Sequence, residues 1–191
     1  MTALQTLLTT YRDAAQTERE KGTYFEDLIG TYLRNEASYR DLYSKVWTYA
    51  DWAREQGLDA RDTGIDLVAQ THGTNEFHAI QCKFYAPDYR IQKRDIDSFF
   101  TASGKKPFMH RIIIATTDKW SEHAEDALQN QQPPVSKIDL HDLENSQIDW
   151  NHYHAKSKPS LKTKKQLCDH QRFALDTVKH GLSDADRGKL I

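Results

Sequence analysis

Residues 64–85, GIDLVAQTHGTNEFHAIQCKFY, carry the decisive pattern of this chain. Side chains alternate across a strand, so Phe77, Ala79, Gln81 and Lys83 share one face while His78, Ile80, Cys82 and Phe84 share the other. Ile65-Asp66-Leu67-Val68-Ala69 is apolar except for Asp66, and a carboxylate within such a run needs a partner or a cation. Between the two runs, THGTNE holds Gly73 and Asn75, which predicts a turn and an antiparallel hairpin bringing Asp66 to the Gln81/Lys83 end. Two readings stand side by side. In one, Asp66 caps a turn or pairs with Arg61 and Lys83 is a solvated edge lysine; in the other, Asp66 and Gln81 help hold a divalent cation and Lys83 faces a phosphate.

Upstream, in KGTYFEDLIGTYLRN (residues 21–35), Tyr24, Phe25, Leu28, Ile29, Tyr32 and Leu33 recur at helical spacing, with Glu26 beside that stripe. A lone acid on a helix is ordinarily solvated or compensates the helix dipole. The order of helical Glu26, then DTGID ending in Asp66, then QCK ending in Lys83 nevertheless resembles the PD-(D/E)xK nuclease superfamily, in its Mrr-like branch where glutamine replaces the usual acid before x-Lys. DTGID (62–66) is similar to the family's D-x-G-[IV]-D stretch and IQCKFY (80–85) to its IQxKxY strand. IQKRDIDSFF, RIIIATTDKW, AEDALQNQ and IDLHDLENSQIDW extend the likeness over most of residues 20–150, toward the N-terminal nuclease domain of Type ISP-like restriction enzymes that also carry a helicase.

The resemblance implies an α/β fold: a restriction-endonuclease-like mixed β-sheet flanked by helices, with an α-β-β-β-α-β core. It implies a Mg2+-dependent DNA endonuclease domain, with Mn2+ as a substitute ion, within an ATP-dependent restriction enzyme. Asp66, Gln81, Lys83 and Glu26 would be catalytic. Asp66, Glu26, the Gln81 side-chain oxygen and the Cys82 backbone carbonyl would supply the oxygen ligands that a hard cation prefers. Asp62 caps the turn at Gly64 or joins a second metal. Tyr85, Lys93 and Arg94, just past the catalytic strand, become contacts to the backbone of double-stranded DNA. Two other functions stay open: a DNA-binding module that does not cut, and the nuclease of a repair or mobile-element helicase.

Composition fits this picture. In 191 residues the formal charge is only −2, which excludes a uniformly basic coat but allows an acidic cleft within basic surroundings such as Arg90/Lys93/Arg94, Lys105/Lys106 and the run from Lys156 to Lys165. The two cysteines, Cys82 and Cys168, are far apart and suggest neither a disulfide framework nor a zinc site. With no membrane-spanning apolar run and no secretory leader pattern, the expectation is a cytoplasmic protein.

Outside the hairpin, the sequence predicts an opening helix with Leu4, Leu7, Leu8 and Tyr11 inward and Thr2 as cap, and a break near Gly22. A first strand is expected around Val46, Trp47 and Tyr49, with Trp47 and Trp52 as packing residues rather than base-stacking platforms. IQKRDIDSFFTAS reads as one helix ended by Gly104, RIIIATT as a buried strand, the segment after Ser121 as a helix stopping before Pro133-Pro134, then VSKIDL as a strand and DLENS as a helix. The sum is a mixed sheet with helices on both faces.

After Trp150 the composition turns polar and basic, so the domains are read as 1–150 nuclease, 151–166 linker and 167–191 the start of a further domain. His152 and His154 are taken as solvated linker side chains. Phe173, Leu175 and Val178 suggest an amphipathic helix and Lys189 the start of a strand, a stretch that resembles the lead-in to a superfamily 2 helicase core. Gln171 then corresponds to an adenine-reading glutamine. These residues contain no phosphate-binding loop, so ATP would act only in a full-length parent, whose helicase and any methyltransferase or target-recognition domains are the implied partners.

Overall fold

The computed structural model describes residues 1–61, 63–155, 157–163 and 167–183. They fall into two compact units, Met1–Leu161 and Lys162–Ile191. The expected strand at Lys189 lies outside the described residues, as do Asp62 and part of the basic run after Trp150.

The first unit opens with helix α1 (Ala3–Ala14), set by a capping box between Thr2 and Gln5 and anchored by buried Leu4 and Leu8. Helix α2 (Glu18–Asn35) begins where the Thr17 hydroxyl accepts the Glu20 N–H. The break between the helices therefore falls at residues 15–17 and not at Gly22, which lies inside α2. One glycine in a helix costs about 1 kcal/mol, and a side-chain cap three residues ahead of its partner amide outweighs that penalty as a start signal.

After short α3 (Ala37–Leu42) comes strand β1 (Tyr43–Thr48). Tyr49, expected in that strand, starts helix α4 (Tyr49–Glu55) because the Thr48 hydroxyl caps the Asp51 N–H. Strands β2 (Leu67–Thr71) and β3 (Phe77–Lys83) form the expected antiparallel hairpin, its turn using positive φ at Gly73 and Asn75. Residues 91–103 are two pieces rather than one helix. A short 3₁₀ turn, Lys93–Asp95, is closed when the Asp95 carboxylate takes the Gln92 N–H, and α5 (Asp97–Ser103) follows. Then come β4 (Phe108–Ala115), α6 (Glu122–Leu128) capped by Ser121, β5 (Val135–Ile138) and α7 (Leu140–Glu144).

The five strands lie in sequence order. β1, β2 and β3 pair antiparallel, whereas β3, β4 and β5 pair parallel. Alternation along β3 splits the core between the two faces, as the sequence requires. Ile80 and Phe84 join Leu4, Leu8, Phe25, Leu28 and Ile29 on one side, and Ala79 joins Trp52, Val68, Ile96 and Phe99 on the other. Trp47 and Trp52 are packing residues in the second layer. Burying each large apolar side chain contributes roughly 1.5–3 kcal/mol, so the sheet is fixed from both faces.

This unit continues past Trp150. Trp150 donates its indole N–H to the Leu143 carbonyl at 2.8 Å and packs on buried Tyr153, while the Asp149 N–H reaches the Ser160 carbonyl. The described residues 151–155 and 157–161 therefore belong to the first unit, since one aromatic anchor outweighs their polar composition. His152 binds Asp149 at 2.8 Å and His154 is exposed. In the second unit, α8 (Asp169–Ser183) has no buried residue, and Phe173 is 74% exposed. Among the described residues no helix is long and apolar enough to cross a membrane.

Candidate active site

Asp66 stands one residue ahead of β2 and is held on three sides. Its N–H donates to the Ile80 carbonyl at 3.0 Å, its carbonyl accepts the Tyr49 N–H at 2.8 Å, and its carboxylate accepts the Cys82 N–H at 2.6 Å. It thus spans Gln81, bonding the residue on either side of it. In a strand the N–H and C=O of one residue point the same way, so the Cys82 carbonyl also opens toward Asp66. Arg61, the alternative partner for Asp66, pairs with Asp59 at 2.6 Å on an exposed turn.

Gln81 is 2% exposed. Its amide nitrogen donates to the Gly64 carbonyl at 3.0 Å, but its side-chain oxygen is buried and accepts no hydrogen bond from the described residues. A buried acceptor left in this state costs about 1–3 kcal/mol, which a ligand at that oxygen would offset. Gly64 makes the arrangement possible. Its φ is +85°, and a Cβ there would lie 3.0 Å from the Ser98 hydroxyl.

Glu26 projects from the middle of α2 into a cleft of about 670 Å³ that Asp66 also lines. Glu18, Arg19, Gly22 and Thr23 come from the same face of α2, and Thr48, Tyr49 and Ile65 from the opposite wall. The additional residues of α2 were within reach of the sequence, because positions 19, 22, 23 and 26 recur at i, i+3, i+4 and i+7 and Glu18 precedes Gly22 by one turn. Lys83 is the last residue of β3, on the Gln81 face, opposite Ala115. The Cys82 thiol registers the gathering of charge. Burial pushes its pKa well up, Asp66 and Glu26 push the same way, and Lys83 opposes them. Asp66 and Glu26 thus line one cleft, Asp66 is bonded to Cys82 beside Gln81, and Lys83 ends the same strand.

The remaining candidates lie elsewhere. Tyr85 stacks on Tyr89 with ring centroids 4.2 Å apart, its hydroxyl pKa raised chiefly by burial, and its backbone is tied to Thr116 and Arg12. Exposed Lys93 and Arg94 line a separate depression with Arg90 and His123, and Lys93 pairs with Asp97 at 2.6 Å. Gln171 belongs to the second unit, where its side-chain oxygen accepts the Cys168 N–H.

Among the described residues no three His, Cys, Asp or Glu side chains form a metal-binding group by themselves. The donors here are mixed instead: two carboxylates, an amide oxygen without a hydrogen-bond donor and a strand carbonyl. That all-oxygen set suits a hard cation such as Mg2+ better than zinc, whose sites usually include histidine or cysteine.

A family model and solved structures of known proteins resemble this chain. A solved structure of the ATP-dependent Type ISP restriction-modification enzyme LlaBIII bound to DNA is similar at 30% identity and a TM-score of 0.69, over 91% of this chain and 11% of that one. The MspJI restriction endonuclease in complex with a 27-mer oligonucleotide is similar at 15% identity and a TM-score of 0.40, over 74% of this chain and 29% of that one. No curated protein matches. Residues 34–160 match a family model described as restriction endonuclease, Mrr_cat_2; Asp66, Gln81 and Lys83 fall inside the match and Glu26 ahead of it. With the mixed sheet, the Asp66 clamp and this match in hand, the chain belongs to the Mrr_cat_2 restriction endonuclease family.

Proposed function

We propose that this chain is the Mg2+-dependent DNA-cleaving domain of a cytoplasmic restriction enzyme driven by an ATP-dependent motor. The observation carrying this reading is the buried Gln81 oxygen, which no described donor satisfies, beside a carboxylate clamped across the same strand. Asp66, Glu26, Gln81 Oε1 and the Cys82 carbonyl would hold the ion. When bound, the ion supplies an acidified water, charge neutralisation on the phosphate and support for the leaving oxygen. Asp66 is the fixed ligand, since three hydrogen bonds set its position before any ligand arrives. Lys83 orients the attacking water and stabilises the negative charge that develops on the phosphate. A glutamine in place of a third carboxylate leaves less negative charge around the cation, so metal affinity is weaker than in an all-acid site. Tyr85, Lys93 and Arg94 contact the backbone of double-stranded DNA beyond the cleft.

This chain spans 11% of the LlaBIII chain, and the motor is assigned to a longer parent. Gln171 would read adenine there, and ATP is a cofactor of that parent alone. Cleavage of supercoiled plasmid with Mg2+ or Mn2+ tests the proposal, comparing the wild type with Asp66→Ala and Lys83→Ala. Cutting that both variants lose supports it. Cutting that survives in both would place the chemistry elsewhere.

A further inference from the structure

The cleft poses an electrostatic problem for a polyanion. Glu18, Glu26 and Asp66 all line it. A cation held by Glu26 and Asp66 answers for those two, and Glu18 is tied to Lys21. The strand must still be held where it runs along α2. Thr23 and Thr48 offer little there, because their hydroxyl protons go to the Arg19 carbonyl and the Asp51 carboxylate. Arg19 is the one cation among the described residues lining this cleft. It is exposed, and no described carboxylate lies within ion-pair distance of it.

Arg19 and Glu26 are seven residues apart, which puts them on one face of α2 and about 10 Å apart along its axis. Successive phosphates of one DNA strand are separated by well over the axial rise of about 3.4 Å, because the backbone winds around the duplex, so about 10 Å spans one or two nucleotides. We propose that Arg19 is a phosphate-binding residue that lays the DNA backbone along α2, gripping it about one or two nucleotides from the phosphate facing Asp66 and Glu26. Arginine suits this role, because its planar fork binds two phosphate oxygens at once. The assignment rests on the nuclease reading above and adds a positioning contact that the hairpin motif does not contain.

The test is fluorescence anisotropy with a labelled DNA duplex in Mg2+ over a range of salt, in a Lys83→Ala background so that the duplex stays intact. Adding Arg19→Gln is expected to weaken binding roughly fivefold and to lower the slope of log K against log salt by about 0.9, the loss of one phosphate contact. Arg19→Lys should restore most of the slope, and the thermal midpoint should not change in either variant. Binding with an unchanged slope in Arg19→Gln overturns the assignment of Arg19 and leaves the nuclease reading standing. Absence of duplex binding by all of these chains overturns both.

Discussion

Strand β3 ends in two different ways. At its first end, polar groups meet one another: the Tyr43 hydroxyl bonds His78 at 3.0 Å, His78 packs against His110 with ring centroids 5.0 Å apart, and His110 bonds Ser136 at 2.9 Å. At its last end, Gln81 keeps a buried oxygen without a donor among the described residues, and Gly64 holds a backbone conformation that L side chains rarely adopt. Both ends belong to one strand and one pair of cores, so general instability does not explain the difference. A network closed on itself serves the fold, whereas the open acceptor is the group to which the proposed function assigns a ligand.

The largest effect should come from the open end. Lys83→Ala should reduce plasmid cleavage by at least about a hundredfold while leaving the unfolding midpoint nearly unchanged, as expected for a group acting on developing charge. An equal loss of folding would make Lys83 structural. Next, Gly64→Ala should cost about 1–3 kcal/mol in denaturant unfolding, because φ = +85° and the Ser98 contact both oppose a Cβ. An unchanged midpoint would show that the Gly64 turn relaxes freely and does not fix Gln81.

Gln81→Glu sharpens the contrast by acting in opposite directions on two states. Without metal, a buried carboxylate near Asp66 and Glu26 should lower stability by more than about 1 kcal/mol at neutral pH. With divalent metal, the added charge should tighten binding roughly tenfold, read as a larger metal-induced rise in melting temperature. A variant that melts as the wild type does with and without metal would remove Gln81 from the ligand set.

The smallest effect belongs to the closed end. Burial, assisted by the nearby His110 and opposed by Glu76, lowers the His78 pKa from 6.5 to about 4. The unfolded chain therefore binds more protons than the folded one between about pH 6.5 and pH 4, and stability should fall as pH drops through that window. His78→Gln, whose amide can still meet the Tyr43 hydroxyl, should flatten the change in melting temperature between pH 7 and pH 5. An undiminished slope would assign the acid sensitivity to other groups.

The sequence made the hairpin and the cores legible because alternation and helical spacing are local signals. Asp66, Gln81 and Lys83 could be ordered from the register that a turn-rich THGTNE imposes. Glu26 could be placed on a helix, but its meeting with Asp66 depends on how α2 packs over the sheet, which no local pattern encodes. Helix starts were misplaced where side-chain caps at Thr17 and Thr48 outweighed glycine and β-propensity. The packing of Tyr153 and the isolated Ile148–Leu161 bridge were not legible, because they act at long range through few residues.

Calorimetric titration of Mn2+ into the wild type and Asp66→Ala tests the central claim most directly. The clamp of Asp66 beside the open Gln81 oxygen predicts a saturable site in the wild type that Asp66→Ala loses while keeping its fold. Equal binding by both proteins would contradict it, and the open end of β3 would then be an imperfection of packing rather than a metal centre.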